Sequence, residues 1–325
     1  MRSSRVDMGP WAGRVDAEEG PNGRRWHQIV EPLTDQTGGI ALIGFACDAG
    51  VARNQGRPGA SEGPASARAM LANLPARGSL HVIDAGDVTC SSDDELESAQ
   101  AELARALSQI LGRQLFPITL GGGHEVAFGS WSGLASHLDS SAHGDADAPR
   151  IGIVNIDAHL DLRAADRPSS GTPFRQIAET CAERKWPFRY CCLGVSDFAN
   201  TQALFDRAQD LGVVMVKDDD MTPTRIGAIL TVLYDFLAGV DHVYLTLCLD
   251  ALSASVAPGV SAPAAPGHAK GVVEAVVDHI IGSRKLRIAD VAELNPRLDI
   301  DNRTARVAAR LVARIAAGVT ALHRD

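Results

Sequence analysis

The sequence predicts an α/β fold in which a mostly parallel β-sheet carries helices on both faces. Short apolar runs alternate along the chain with longer segments of helical periodicity, the pattern of repeated strand–helix units. Most of these runs are continuously apolar rather than alternating, as strands buried on both faces require. Several runs lead directly into polar side chains, which places a candidate site at one edge of the sheet.

The elements follow in chain order. Eight apolar runs are predicted strands, at residues 40–47, 80–85, 115–120, 151–156, 189–195, 213–217, 243–249 and 286–291. Five segments are predicted helices, at residues 63–74, 95–112, 223–238, 269–281 and 303–321. Residues 1–37 are polar and glycine-rich without a clear period, and we interpret them as an N-terminal arm. No shift in composition marks a boundary within residues 38–325, so these are predicted to form a single catalytic domain.

Composition excludes several classes of protein. With 325 residues, 45% of them hydrophobic, the chain can bury a large core. The net charge of −9 and the absence of a long Lys/Arg run argue against nucleic acid as a partner. No apolar stretch of about 18 residues is present, so no membrane association is expected. Six cysteines are too few for a disulfide framework in a chain of this length, and together with the lack of an apolar leader they indicate a cytoplasmic protein.

Polar residues follow four of the predicted strands. The run at 115–120 leads into GGGHE (121–125), and the run at 151–156 leads into DAHLDLR (157–163). The runs at 243–249 and 286–291 lead into Asp250 and Glu293. Because the carboxyl ends of parallel strands meet at one edge of a sheet, these side chains are expected to share one site.

The types of residue at this edge predict a metal centre. Asp157, His159 and Asp161 are spaced by two, so they lie on one side if the chain is extended, and Cys248 and Asp250 share the same parity. Carboxylates with imidazoles suit Mn, Fe, Co or Zn better than Mg or Ca. The candidate ligands are His124, Asp157, His159, Asp161, Cys248 and Asp250. They exceed the needs of one tetrahedral ion, which favours two ions about 3.5–4 Å apart that share ligands.

Three further residues are candidates for binding the substrate. Glu293 has no obvious partner and could bind a cationic amidine or guanidine group by charge-assisted hydrogen bonds. Arg163 lies two residues beyond Asp161 and could hold a carboxylate through its forked guanidinium. Asn200 is a candidate contact for a second carboxylate. Taken singly, each residue also has an ordinary explanation as a salt-bridge partner, a capping group or a surface side chain; only together do they indicate a site.

These residues lie in blocks that resemble the signatures of the ureohydrolase (arginase/agmatinase) superfamily. The blocks are GGGHE (121–125), NIDAHLDLR (155–163), LTLCLDALSASVAPGVSAPAAPG (245–267) and AELNPRLDIDNRTA (292–305), and the resemblance extends over residues 38–320. The arm and the segments SSGTPFRQ (169–176) and APGVSAPA (257–264) are similar to the subfamily that hydrolyses N-formimidoyl-L-glutamate to L-glutamate and formamide in histidine degradation.

The resemblance implies a three-layer α/β/α sandwich on an eight-stranded, mostly parallel sheet. It also implies two divalent ions, most often Mn²⁺, held by the six candidate ligands, and a homo-oligomer acting on a small acidic substrate. A hydroxide between the ions would attack the amidine carbon. Asp161 would orient it and transfer its proton, Glu293 would hold the amidine, and Arg163 would face the carboxylate end of the substrate.

Two departures from the superfamily pattern leave alternatives open. Most members have aspartate where this chain has Cys248, and a thiolate would shift metal preference from Mn toward Zn, Fe or Co. Relatives that act on guanidines keep a histidine near residues 169–174, where this chain has none. Its absence argues against arginase or agmatinase activity and implies a different proton route. A hydrolase of another guanidino acid and a catalytically silent relative remain alternatives, whereas a dinucleotide-binding fold is disfavoured because no G-x-G-x-x-G follows the first strand.

Overall fold

The computed structural model describes residues 6–90, 92–141 and 148–322, which form one sheet flanked by helices. Residues 1–5 of the predicted arm and 323–325 of the predicted domain lie outside this part. The strands are β1 (Val30–Pro32), β2 (Ile40–Ala46), β3 (Val82–Thr89), β4 (Phe116–Leu120), β5 (Ile151–Ile156), β6 (Arg189–Val195), β7 (Val214–Lys217), β8 (His242–Cys248) and β9 (Leu286–Ala292). Their order is β1-β3-β2-β4-β9-β8-β5-β6-β7, and every neighbouring pair is parallel. The predicted parallel sheet is therefore confirmed.

The sheet has nine strands in the described residues, one more than the sequence predicted. The additional strand is β1, which comes from the predicted arm and pairs with β3 in the register Val30↔Val82. It escaped prediction because three residues ending in proline form no apolar run. Pro32 is tolerated here because β1 is the edge strand, where a missing N–H breaks no ladder.

Helices cover both faces of the sheet and form the predicted three layers. They are α1 (Ala49–Arg53), α2 (Gly63–Ala72), α3 (Leu96–Gly112), α4 (Val126–Ser141), α5 (Pro173–Arg184), α6 (Gln202–Asp210), α7 (Ile226–Ala238), α8 (Lys270–Gly282) and α9 (Arg303–Leu322). One buried apolar cluster joins α2, α7, α8 and α9 to the sheet, and a second joins α3, α4, α5 and α6 to the opposite face. All five predicted helices are present.

Helix α4 was not predicted, and its glycines explain why. Gly129 and Gly133 weaken the helical signal in the sequence. In the structure they allow close packing of α4 on α3, since a Cβ atom at Gly133 would lie 2.7 Å from Cβ of Leu107. The glycines thus lower the intrinsic helix propensity of this segment but allow close packing of α4 on α3, which is visible only in the folded chain.

A buried ionic network anchors the arm to the sheet. Asp84 of β3 is fully buried and accepts hydrogen bonds from Nε and Nη2 of Arg68 at 2.7 and 2.9 Å. The same carboxylate accepts a 2.6 Å hydrogen bond from Nε1 of Trp11, which lies in the arm. Removing a partner would leave the negative charge of Asp84 buried without compensation, which is energetically costly. The network therefore holds the arm against the sheet.

Trp11→Phe is expected to destabilise the fold by about 1–3 kcal/mol, since it removes one hydrogen bond to a buried carboxylate and keeps an aromatic ring. Arg68 remains to compensate the charge of Asp84, so the loss is confined to that bond. Urea unfolding measures the effect. Trp186→Phe is the matched control, since the structure gives the indole of Trp186 ring contacts but no hydrogen bond. Equal losses in the two variants would contradict the assigned role of the Trp11 donor.

Two simpler expectations concern the chain as a whole. All six cysteines are free thiols, as predicted for a chain without a disulfide framework. Among the described residues, no helix has both the length and the apolar character needed to cross a bilayer.

Candidate metal centre and substrate cavity

Four neighbouring strands in the middle of the sheet deliver the polar residues to one edge. In spatial order these strands are β4, β9, β8 and β5. A short turn after β4 carries His124, Glu293 directly follows β9, Cys248 ends β8, and Asp157 directly follows β5. About half of the sequence lies between β4 and β9 in chain order, yet the sheet makes them neighbours. The single edge predicted from the strand ends is what the structure contains.

The glycine turn after β4 permits a close backbone approach. A Cβ atom at Gly122 would lie 1.8 Å from the carbonyl oxygen of Cys47, so no larger residue fits there. The amide of Gly123 donates to that carbonyl at 3.0 Å. The turn is thereby fixed to the end of β2, and the amide of His124 donates to Oε1 of Glu293 at 2.9 Å.

The six candidate ligands gather around two positions that share Asp157. His124, Asp157 and Cys248 form one group of donor atoms within 4.8 Å of one another, and Asp157, His159 and Asp250 form a second. Asp161 belongs to neither group by that distance. Its Oδ2 nevertheless lies 2.9 Å from Nδ1 of His124, the same distance as Oδ2 of Asp157.

The surroundings of His124 suit a cation. Its Nε2 lies 3.0 Å from Oγ1 of Thr246, a hydroxyl oxygen that can accept a hydrogen bond from the ring. The remaining nitrogen, Nδ1, faces the carboxylates of Asp157 and Asp161 and has no aligned hydrogen-bond partner. A lone pair directed at two carboxylates is unfavourable unless a proton or a metal ion lies between them.

Protons take that place when no metal is bound. Burial lowers the pKa of His124, but Asp157 and Asp161 raise it well above its usual value. Burial likewise lowers the pKa of His159, and Asp250 and Asp157 raise it well above the ordinary range. A divalent ion can replace such protons, because the imidazole must be neutral to coordinate.

Cys248 is also protonated in the metal-free protein. Burial, followed by the charges of Asp157 and Asp250, raises the pKa of its thiol well above the usual value. Its Sγ donates to Oδ1 of Asp250 at 2.7 Å. A bound ion would convert this thiol into a thiolate ligand. Two imidazoles, three carboxylates and one sulfur therefore fit two divalent transition-metal ions.

The loop after β5 brings its ligands together in a way that the spacing argument did not foresee. Asp161 has φ 47°, in the left-handed region, so the chain is not extended there. The amide of His159 instead donates to Oδ1 of Asp157 at 2.8 Å and folds the loop back on the first ligand. The extended backbone assumed for residues 157–163 was therefore wrong, although the sequence named the residues that meet.

A cavity of about 390 Å³ opens beside these ligands and contains both candidate substrate-binding charges. Glu293 is buried, with φ 70°, and its Oε2 has no hydrogen-bond partner. Burial and the nearby charges of Asp250 and Glu125 raise its pKa to about 8. Arg163 also lines the cavity but is exposed, and none of the described carboxylates pairs with it. The cavity thus has an acidic inner group and a cationic outer group.

Asn200 lines the same cavity, but its side-chain amide is hydrogen-bonded to backbone groups. Its Oδ1 accepts from the amide of Leu160 at 3.0 Å. Its Nδ2 donates to the carbonyls of Ala158 and Ser196, each at 2.9 Å. The side chain therefore fixes the loop that carries His159 and Asp161.

Two residues of the site, Thr246 and Arg57, were not predicted from the sequence. Thr246 orients His124, and its signal was available because it lies two residues before Cys248, on the same face of β8. Arg57 lines the cavity from the loop after α1. It lies in the segment RPGA (57–60), where an arginine before proline has no feature that separates it from a surface residue.

The chain is similar to known proteins over almost all of its length. The family model described as the arginase family matches residues 38–318. A formimidoylglutamase of Ralstonia nicotianae is 60% identical over 317 residues, covering 97% of this chain and 96% of that protein. A formimidoylglutamase of Aromatoleum aromaticum is 54% identical, covering 95% of this chain and 92% of its own length.

Solved structures share the fold. The crystal structure of Trypanosoma cruzi formiminoglutamase with Mn²⁺ superposes with a TM-score of 0.76 at 27% identity, covering 86% of this chain and 93% of the other. That of formimidoylglutamase from Bacillus subtilis superposes with a TM-score of 0.80 and covers 94% of each chain; at 20% identity this likeness concerns the fold alone.

Proposed function

Because the chain belongs to the arginase family, we propose that it hydrolyses N-formimidoyl-L-glutamate to L-glutamate and formamide, a step of histidine degradation in the cytoplasm. The names of relatives at 60% and 54% identity support this activity. The observation that carries it is the pair of charges in the cavity. Buried Glu293 has an unpaired oxygen, and exposed Arg163 has no acidic partner in the described residues. A substrate with a cationic amidine at one end and carboxylates at the other complements both.

The proposed ligands of two divalent ions are His124, Asp157, Asp161 and Cys248 for one, and Asp157, His159, Cys248 and Asp250 for the other. Mn²⁺ is the first choice, because a relative of this fold was crystallised with it. Two such ions, when bound, lower the pKa of a water molecule between them and supply hydroxide near neutral pH.

Glu293 is proposed to bind the protonated formimidoyl group. Its Oε1 is held by the amide of His124, which leaves Oε2 to accept a charge-assisted hydrogen bond from the amidine. The raised pKa of the carboxyl reflects its burial among negative charges, and a cationic substrate offsets that burial. The contact fixes the amidine carbon beside the ligand cluster.

Asp161 is proposed to move the proton. After the new C–O bond forms, its carboxylate accepts the proton that remains on the added hydroxyl, so that this oxygen becomes the carbonyl oxygen of formamide. It then gives this proton to the amine nitrogen of glutamate as the C–N bond breaks. Arg163 binds a carboxylate of the glutamate, and Asn200 supports substrate binding by positioning the loop of Asp161.

The affinity of the cluster for metal is expected to rise with pH. The pKa values of His124, His159 and the Cys248 thiol are all raised in the metal-free protein, so binding must displace protons at neutral pH. Titration with Mn²⁺ at several pH values measures the effect, and proton release in weakly buffered solution checks it. An affinity that is constant between pH 6 and 8 would contradict the proposed ligand set.

The direct test is formamide release by the Mn²⁺-loaded protein, with metal content measured on the same sample. We expect turnover of at least about 1 s⁻¹, in the ordinary range for enzymes, and two ions per chain. 4-Guanidinobutyrate is the comparison substrate. Faster hydrolysis of this guanidino acid would favour the alternative substrate class. No turnover with Mn²⁺, Zn²⁺, Fe²⁺ or Co²⁺ would favour a catalytically silent relative.

Glu293→Gln is expected to lower kcat/KM for N-formimidoyl-L-glutamate by about 10²-fold, because the amidine loses its charged acceptor. Glutamine keeps an oxygen for the amide of His124, so the turn that carries this ligand should remain in place. Steady-state kinetics measures the loss, and metal content shows whether the site is intact. Unchanged kcat/KM with two bound ions would exclude Glu293 as the amidine-binding group.

A further inference from the structure

Two arginines of the cavity have no acidic partner in the part of the chain that is described. They are Arg57 and Arg163, both exposed and both lining the space beside the ligand cluster. Other arginines of nearby loops and helices are paired at short distances: Arg53 with Glu97 at 2.8 Å, Arg175 with Glu179 at 2.7 Å and Arg297 with Glu62 at 2.6 Å. The chain has 40 acidic and 31 basic residues, so acidic partners for an arginine are abundant. Two arginines without an acidic partner in one cavity therefore indicate a site for an anionic ligand.

Arg57 is held in a fixed orientation without losing its charge. Its Nε donates to the carbonyl of Ser261 and its Nη2 to the carbonyl of Val260, both at 2.8 Å. The acceptors are neutral, so the guanidinium stays uncompensated. Two of the five N–H groups of an arginine are used in these bonds, which leaves three, including both on Nη1, for a ligand. A guanidinium fixed in this way loses little entropy when it binds a carboxylate.

The loop of Arg57 is also tied to the loop of Glu293. The side-chain Nδ2 of Asn295, a fully buried residue, donates to the carbonyls of Arg57 and Pro58 at 2.9 and 3.2 Å. Asn295 lies two residues beyond Glu293, which is the proposed amidine-binding residue. The backbone that carries the cation and the backbone that carries the acid are thus joined by hydrogen bonds, so their separation is set by the fold.

We propose that Arg57 binds the side-chain carboxylate of the substrate and makes the site selective for a dicarboxylate. The inference rests on the proposed function, in which Glu293 holds the amidine. Arg163, two residues beyond the proton-transferring Asp161, then binds the carboxylate nearest the reacting nitrogen. The second carboxylate of N-formimidoyl-L-glutamate requires another cation, and Arg57 supplies it. The nearby Arg175 is paired with Glu179 and is not available for this role.

The test compares N-formimidoyl-L-glutamate with N-formimidoyl-L-glutamine, in which a neutral amide replaces the side-chain carboxylate. Arg57→Met is expected to raise KM for the first substrate by about 10–10²-fold, with little change in kcat and no change in KM for the second. Arg57→Lys should recover part of the loss. Arg163→Met is the matched control. It should raise KM for both substrates alike, because both keep the carboxylate next to the reacting nitrogen.

The two-substrate design separates recognition from a structural role. If Arg57 served only to hold the loop at Val260 and Ser261, its loss would impair both substrates equally, and that result would overturn the inference. Calorimetric binding of L-glutamate and L-glutamine tests the contact without turnover: Arg57→Met should weaken glutamate binding selectively. Unchanged glutamate binding would overturn the role of Arg57 alone. A wild-type protein that binds glutamate through Arg57 yet releases no formamide would overturn the proposed function and leave this contact standing.

Discussion

Asp161→Ala is expected to lower kcat by at least about 10³-fold, the largest loss we predict for a single substitution. The carboxylate is nine-tenths buried, with 12% of its side chain exposed, and its Oδ2 lies 2.9 Å from Nδ1 of His124. Alanine removes a proposed metal ligand and the group that carries the proton to the leaving amine. Formamide release at saturating substrate and Mn²⁺ measures the loss.

Two further variants show whether the loss of kcat comes from proton transfer or from metal binding. Asp161→Asn keeps the shape of the side chain but cannot accept the proton, so low kcat with two bound ions would isolate proton transfer from metal binding. Asp166→Ala removes an exposed carboxylate from the same loop and should leave kcat unchanged. If Asp161→Ala retained kcat within about tenfold of the wild type, the residue would be neither an essential ligand nor the proton carrier.

Cys248→Ala is expected to reduce bound metal from two ions to one per chain and kcat/KM by about 10²–10³-fold. The thiol is buried and lies among the donor atoms of His124 and Asp157. Its Sγ also contacts Asp250 of the second group, so its loss affects both proposed ion positions. Elemental analysis after dialysis, combined with steady-state kinetics, measures the two effects on one sample.

The variant Cys248→Asp tests whether metal binding requires sulfur at this position or only an anionic ligand. Aspartate restores an anionic donor, so we expect two ions to bind again and the preference to move from Zn²⁺ toward Mn²⁺. Cys191→Ala removes a buried thiol from β6, away from both ligand groups, and should keep full metal content. Two ions and normal kinetics in Cys248→Ala would show that the thiol is only a packed core residue.

The amino-acid sequence is sufficient to predict the fold class and to name the candidate residues of the site. Eight strands could be located because burial on both faces of a parallel sheet demands continuously apolar runs, which are visible without any tertiary information. The six candidate ligands could be named because their types are unusual directly after such runs. Chain connectivity carries that information: a residue that follows a strand lies at the strand's carboxyl end wherever the strand is placed in the sheet.

The folded chain is needed to see which elements are neighbours and how each side chain is directed. The strand β1 and the helix α4 form because distant segments pack against them, and their local sequences give little sign of it. Asp161 reaches His124 through a left-handed backbone conformation that an assumed extended chain excluded. Arg57 is unpaired because none of the described Asp or Glu side chains lies beside it, which the amino-acid composition cannot show. Local periodicity records which faces are buried, whereas partners are set by contacts between residues far apart in the chain, and these exist only once the chain has folded.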